Sequence, residues 1–355
     1  ALLALGRQKE EEEAFRCGEG AYFVWRGLRF VKPYHYEFRA FAKGRWLGLT
    51  LMELMLKEFS FQREEYYRGA LEDGRLRVNG EERSSADYVL RNGDVLIHRL
   101  HRHEAPTLDD PITVLYEDDS LVVVNKPASI PVHPCGGFKR NCIISRMAVE
   151  HNIRQLFLIH RLDRLTSGVL MLAKTKERAS ELQAMFPAGT LQKTYVARVR
   201  GRVSATLFDG VLTADGSLQL RRLDAPMITV QERLRARDKR LGIQEVVREP
   251  VEGEPAEVRP RRQSGDPPVD REQDPGKPAL TLVDLLYYDE AAHESVVVCF
   301  PVTGRTHQIR LHLQHLGHPI VNDPDYGFLL GTEEEVQKRE EQRALRLRKV
   351  GDPDG

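Results

Sequence analysis

The sequence predicts a two-domain α+β protein, strand-rich, with a small N-terminal unit followed by a larger domain built on a mostly antiparallel sheet. Three observations predict it. Residues 49–98 read as two short helices followed by strand, turn and strand. From residue 112 onward, apolar runs of strand length dominate, at 112–116, 121–125, 156–159, 169–173, 191–199, 279–287 and 295–300, with few helical stretches between them. Between 242 and 278 Pro, Glu, Arg, Asp and Gly take over and apolar periodicity vanishes. That tract reads as a disordered insertion inside the second domain, because strong strands resume after it. The resulting division is a lead-in at 1–20, an N-terminal domain at 21–104, a second domain at 105–330, and a charged tail at 331–355.

Taken in order, residues 1–20 carry an acidic run and predict no packed element. Residues 21–41 interleave aromatic and basic side chains, a pattern that suits a ribbon of strands and also stacking against nucleic acid. Residues 49–59 place Leu51, Leu54, Met55 and Phe59 on one helical face, and 66–71 form a second short helix. Asn79-Gly80 and Asn92-Gly93 mark tight turns. Residues 98–106, rich in His and Arg, read as an exit linker. The histidines there are spaced along a strand with no nearby thiol or carboxylate, so no metal site is expected. In the second domain, 112–125 reads as a hairpin closed by Lys126-Pro127, 141–151 and 176–186 as helices, and Thr303-Gly304 as the start of a helix continued over 306–316 and stopped by Gly317. Ile309, Leu313 and Leu316 are its expected buried face.

Lys plus Arg and Asp plus Glu both number 53, so the net charge is zero. Bulk charge therefore excludes a protein that coats nucleic acid, while a local basic groove stays open. The four cysteines form no CxxC pair, which points to a reducing compartment. No apolar run approaches the roughly 18 residues of a membrane helix. The chain begins without an initiator Met, which leaves room for a longer parent.

The organising stretch is residues 160–174, HRLDRLTSGVLMLAK. A charged knot precedes a polar turn, and the turn feeds an unbroken apolar run read as a buried strand. Asp163, flanked by Arg161 and Arg164, sits at the mouth of that strand, where a rigid element aims the carboxylate and the cations favour its ionised form. Two further strings follow, KTY at 193–195 and GRTHQIRLHLQHLGHPI at 304–320, with VVNKPASIPVHP at 123–134 ahead of them. Together, over roughly residues 110–327, they resemble the RluA-type pseudouridine synthases, nearest the eukaryotic branch that acts on tRNA and other RNAs. Residues 21–104 resemble an alpha-L RNA-binding module.

The resemblance implies a pseudouridine synthase catalytic domain with a mostly antiparallel mixed sheet and flanking helices. It implies isomerisation of uridine in RNA, without cofactor or metal. It places the catalytic aspartate on Asp163, the active-site tyrosine on Tyr195 and a basic partner on Arg310, with Arg305 the rival for that role. Arg161 is expected to approach the space vacated by the flipped base. His160, Arg164, Thr166, Arg305, His307 and Lys193 are the expected substrate or RNA contacts, with Lys139 and Arg140 as further phosphate candidates. The chain departs from the family at 321–324, where a Gly-Asp pair is more usual, and in the length of the insertion; neither departure is expected to touch the three active-site positions.

Three rivals are weighed. A glycoside-type hydrolase would need a second catalytic carboxylate, and none stands out. A zinc deaminase would need a second cysteine where Phe138 stands. A catalytically silent RNA-binding or RNA-folding protein of the same fold is the alternative carried forward. The expected partner is RNA, tRNA first, then ribosomal or messenger RNA. A monomer is expected from the lack of coiled-coil or repeat signals, in an intracellular compartment, with no membrane.

Overall fold

The computed structural model describes residues 21–59, 62–81, 84–186, 190–203, 208–212, 218–222, 227–238, 242–247 and 274–328. The lead-in, the C-terminal tail and most of the expected insertion lie outside the described residues. Contacts divide the chain into one unit through Met185 and a second beginning at Phe186, whereas composition had suggested a boundary near 104.

The first unit starts with a hairpin, β1 (Tyr22–Trp25) and β2 (Leu28–Val31). Its turn, Arg26-Gly27, has both residues in the left-handed region (φ 50° and 74°). β3 (Tyr34–Phe41) follows. Helix α1 (Leu51–Glu58) begins with a reciprocal cap: the Thr50 hydroxyl accepts from Glu53 N (3.2 Å) and Thr50 N donates to the Glu53 carboxylate (2.8 Å). After α2 (Glu64–Glu72), β4 (Leu76–Val78) and β5 (Val95–Arg102) complete an antiparallel sheet of order β3-β5-β4. The helices close this sheet over a core of Trp46, Leu51, Leu54, Met55, Tyr67, Leu76 and Leu96. Asn79 and Gly80 take positive φ (56° and 80°), as the Asn-Gly turn requires.

Two expectations change here. Residues 98–102 belong to β5 rather than to a linker; paired along β3, their polar side chains lie on a strand. Residues 88–90, whose Tyr-Val-Leu composition reads as a further short strand, form none and contribute a single bridge, Val89 to Thr50.

β6 (Thr107–Leu108) joins the edge of the β1–β2 hairpin. Next come β7 (Thr113–Glu117) and β8 (Leu121–Lys126), helix α3 (Ile143–Glu150), β9 (Phe157–Leu158), β10 (Gly168–Ala173) and α4 (Lys176–Met185). The strands form one antiparallel sheet, β7-β8-β10-β9. β10 is half-buried rather than buried on both faces: Leu170 and Leu172 are in the core, while Val169 is 60% exposed.

In the second unit, β11 (Tyr195–Arg200) and a separate hairpin, β12 (Phe208–Leu212) with β13 (Leu218–Arg222), precede β14 (Ile228–Asp238) and β15 (Ile243–Val246). β16 (Lys277–Asp289), β17 (Glu294–Pro301) and helix α5 (Gln308–His315) finish it. The main sheet runs β11-β17-β16-β14-β15, and every described strand pair in the protein is antiparallel. The expected insertion is therefore shorter than its composition suggested, since residues 243–246 and 277–278 are strand. Val199, Val230, Val283, Val297, Cys299 and Leu313 form the core beneath α5. Among the described residues no helix is long and apolar enough to cross a membrane.

Candidate active site

Asp163 lies on the loop between β9 and β10, within the first unit. Three devices hold this loop. Gly168 opens β10 at φ 124°, a conformation closed to residues with a Cβ, and pairs with Lys126 on β8. The backbone N of Thr166 donates to the carbonyl of Asp163 (3.1 Å), closing the turn. Lys126, fully buried, donates from Nζ to the carbonyls of Thr166 (2.8 Å), Pro127 (2.9 Å) and Arg164 (3.3 Å). Burial pulls its pKa from 10.5 down to about 8, partly offset by the negative charge of Asp163. The loop thus rests on a buried cation whose hydrogen bonds tie the two residues Arg164 and Thr166, just after the aspartate, to the end of β8.

His160 Nε2 accepts from the backbone N of Met171 on β10 (3.1 Å). That bond places the ring proton on Nδ1 and makes His160 a positioning residue. Arg161 is exposed and donates to no described residue. Arg164 is also exposed; its guanidinium reaches the Ser129 carbonyl (3.5 Å) and lies 5.7 Å from the Phe138 ring. Elsewhere in this unit Tyr34, Tyr36, Arg99, Lys139 and Arg140 line a cavity of about 590 Å³. Lys139, expected as a phosphate contact, is buried there and donates to the Tyr36 hydroxyl.

In the second unit, Tyr195 starts β11 opposite Cys299 and packs its half-buried ring against the Val199–Val297 core. The string 303–310 is organised by Gln308. Its Oε1 accepts from the Thr303 hydroxyl (2.8 Å) and from Arg305 N (2.9 Å), while its Nε2 donates to the Leu280 carbonyl (3.0 Å) and Thr281 Oγ1 (2.9 Å). This fold-back delays the helix, which begins at 308 instead of 303. His307 precedes it in a left-handed conformation (φ 58°) and shares a hydrogen bond with the Tyr326 hydroxyl (2.9 Å). Lys193 Nζ donates to the Thr303 carbonyl (3.0 Å), and burial lowers its pKa.

Arg310 is engaged by carboxylates that follow its helix. Its Nε and Nη2 meet the two oxygens of Asp323 (2.6 and 2.7 Å), Nη2 also meets Asp325 (2.8 Å), and the guanidinium lies 4.7 Å from the Tyr326 ring. Burial would lower its pKa, but the bonds and charges of Asp323 and Asp325 reverse that and push it up. Asp323 belongs to the 321–324 departure, so that departure does touch one of the three positions. Its neighbour Asn322 takes φ 62°, where the family's usual glycine would be at ease and where Asn is tolerated. Arg305 differs: Nε donates to the Pro278 carbonyl (2.9 Å), and neither Nη donates to a described residue.

A family model described as RNA pseudouridylate synthase matches residues 120–315, a span that takes in Asp163, Tyr195, Arg305 and Arg310. The tRNA pseudouridine(31) synthase of Saccharomyces cerevisiae is 34% identical over 326 residues, 86% of this chain and 73% of that protein. The chain belongs to the RNA pseudouridylate synthase family. Pseudouridylate synthase RPUSD2 of Homo sapiens is 38% identical over 308 residues, 87% of this chain and 48% of that protein. The chain thus spans about half the length of its human relative. The mitochondrial tRNA pseudouridine(32) synthase of Saccharomyces cerevisiae is 35% identical over 302 residues, 84% of this chain and 55% of that protein.

Within this family member, two functional side chains escaped the sequence reading. Lys126 was read only as the end of a hairpin. Its role depends on the β8–β10 register, which sets it beside Gly168, although a lysine ending an apolar strand is itself a signal of a buried cation. Gln308 was visible inside the 304–320 string, yet nothing in its spacing revealed that it ties the preceding loop.

Proposed function

We propose that the protein is an RNA pseudouridine synthase whose substrate is tRNA. The observation that carries the reading is Asp163, held on a locked loop at the start of β10 inside the span of the family model. The C1′–N1 bond of uridine breaks, the uracil turns, and a C1′–C5 bond forms. The proton lost from C5 is balanced by one gained at N1, so the product is an isomer and the chemistry calls for no cofactor. The Asp163 carboxylate either attacks C1′ or takes the C2′ proton. Tyr195 offers a ring against which uracil stacks, worth about 1–3 kcal/mol per base, and a hydroxyl for the C5 proton. Arg161 occupies the space left by the extruded base. Arg164, Thr166, His307 and Lys193 shape the RNA contact from their own loops.

Arg310 is the basic residue of the set in this reading, with Arg305 the rival for its role. The enzyme acts as an intracellular monomer. Release of tritium from C5-labelled uridine, measured separately in tRNA and ribosomal RNA, tests the proposal. Wild type should release tritium from tRNA and Asp163→Asn should not. Release by both proteins would displace Asp163 from its role. Release by neither, with RNA binding intact, would favour the silent RNA binder.

A further inference from the structure

One face of the β1-β2-β6 sheet carries aromatic rings left exposed among the described residues. The strand register puts Phe23 opposite Phe30, Trp25 opposite Leu28, and Leu28 opposite Leu108, so all five side chains share one face. Phe23 is 45% exposed, Trp25 56% and Leu108 39%. The opposite face anchors the sheet: Val31 and Thr107 are buried, the Tyr22 hydroxyl donates to the Arg140 carbonyl (2.8 Å), and Arg29 pairs with Asp109 and Glu150. The exposed rings are ordered relative to one another. Phe23 and Phe30 stack with centroids 5.0 Å apart and planes 8° from parallel, and Trp25 continues the row 6.5 Å from Phe30. The Arg26 guanidinium lies 4.6 Å from the Trp25 ring.

Charge selects the occupant. Beside this face stand Arg26 and Lys32, since Arg29 is paired on the opposite face, and residues 21–36 contain no acidic residue. A second copy of the chain docking face to face would bring these cations against themselves. A polyanion with flat bases meets both features, because rings accept stacked bases and the bordering cations accept phosphates. We propose that this sheet face is a stacking platform for single-stranded RNA flanking the target uridine. The proposal rests on the reading of the protein as an RNA-modifying enzyme and adds a second grip on the substrate.

The test uses the full chain and an oligouridylate of about eight nucleotides, within the usual span of a single-strand groove. The protein has two tryptophans, and Trp46 is buried, so quenching of tryptophan fluorescence reads Trp25. Wild type and Asp163→Asn should both quench to saturation. Trp25→Phe should lose the signal but keep binding by anisotropy of a labelled oligonucleotide. Trp25→Ala and the Phe23→Ala, Phe30→Ala double variant should each bind about tenfold more weakly, the loss of roughly one stacked base. Thermal melts check that these exposed substitutions leave the fold intact.

Unchanged affinity in the alanine variants overturns the platform, as does a concentration-dependent dimer of wild type that Trp25→Ala dissociates. Tritium release is measured on the same wild-type protein. Release without quenching overturns the platform and leaves the synthase reading standing. Quenching without release supports the platform and overturns the synthase reading.

Discussion

Replacing Lys126 by Met is expected to cost rate far more than affinity. The lysine lies wholly inside the first unit, and its Nζ donates to three carbonyls, those of Arg164 and Thr166 lying just after Asp163 in sequence. Methionine fills the space of the stem and supplies no donor. Hydrogen bonds from a charged donor are worth about 1.5–3 kcal/mol each. Against that loss stands relief from burying an ammonium. The fall in pKa from 10.5 to about 8 corresponds to about 3 kcal/mol. The variant should therefore be less stable by about 2–5 kcal/mol at neutral pH. The larger consequence is positional. A carboxylate displaced by about 1 Å loses on the order of 100-fold in rate, so kcat should fall about 10- to 100-fold while KM for tRNA changes about twofold or less.

The same lysine gives two pH effects of opposite sign. Between about 8 and 10.5 the unfolded chain retains a proton on Lys126 that the folded chain has released. Its contribution to stability therefore rises with pH across that window and is lost as pH falls through about 8. Activity runs the other way, because a neutral amine has two hydrogens for three carbonyls and the loop loosens. Single-turnover tritium release from pH 7 to 9.5, beside urea melts of wild type and Lys126→Met, reads both. A variant with wild-type kcat would refute the role of Lys126, and a stability difference between the two proteins that stays flat from pH 8 to 10.5 would refute the linkage.

The two arginines of the 304–310 string should separate cleanly. Arg310→Ala strands the buried Asp323 and should destabilise the protein by about 3–5 kcal/mol in urea melts. Arg305→Ala should melt within about 0.5 kcal/mol of wild type and keep its tritium release; release slowed on the order of 100-fold at unchanged stability would move the basic role from Arg310 to Arg305. At position 322, with φ 62°, Gly should be accepted, while Val should cost about 1–2 kcal/mol by thermal melt. Burial lowers the pKa of His98 on β5 and His312 on α5 from 6.5 to about 4. The unfolded chain takes up these protons first, so stability should fall as pH drops from about 6.5 through about 4, by up to about 3 kcal/mol per histidine. His312→Gln should flatten part of that acid limb.

Local signals in this sequence are read correctly where one segment settles its own conformation. The helical face of 49–59, the Asn79-Gly80 turn, the Gly317 stop and the apolar runs of β8, β16 and β17 all require only neighbours in sequence. The misreadings share a different cause. Residues 98–102 look like a polar linker because β5 gains its strand character from β3, about 60 residues earlier. Val169 looks buried because its run is apolar, yet the sheet covers only one face of it at that point. The helix at 308 starts late because a glutamine side chain captures the two groups that would have begun it. Each is a tertiary contact overriding a local pattern, and a single sequence carries no record of the partner.

The pair Arg305 and Arg310 shows why a motif locates a site more reliably than it assigns its parts. Both lie in one string, five residues apart, and both are plausible partners for an aspartate on sequence grounds. What separates them is a turn that follows the helix. Gly327 packs so tightly there that a Cβ would come within 2.3 Å of the Asp323 carbonyl, and Asp323 N-caps the turn by accepting from Asp325 N (2.9 Å) and Tyr326 N (3.0 Å). With its oxygens so engaged, Asp323 is fixed where it can take Arg310 bidentately. The turn thereby gives Arg310 two carboxylates and makes it a support for the end of α5. Arg305 has no carboxylate among the described residues and is held by its N on Gln308 Oε1 and its Nε on the Pro278 carbonyl. Removing Arg310 therefore breaks a buried ion pair, whereas removing Arg305 breaks none.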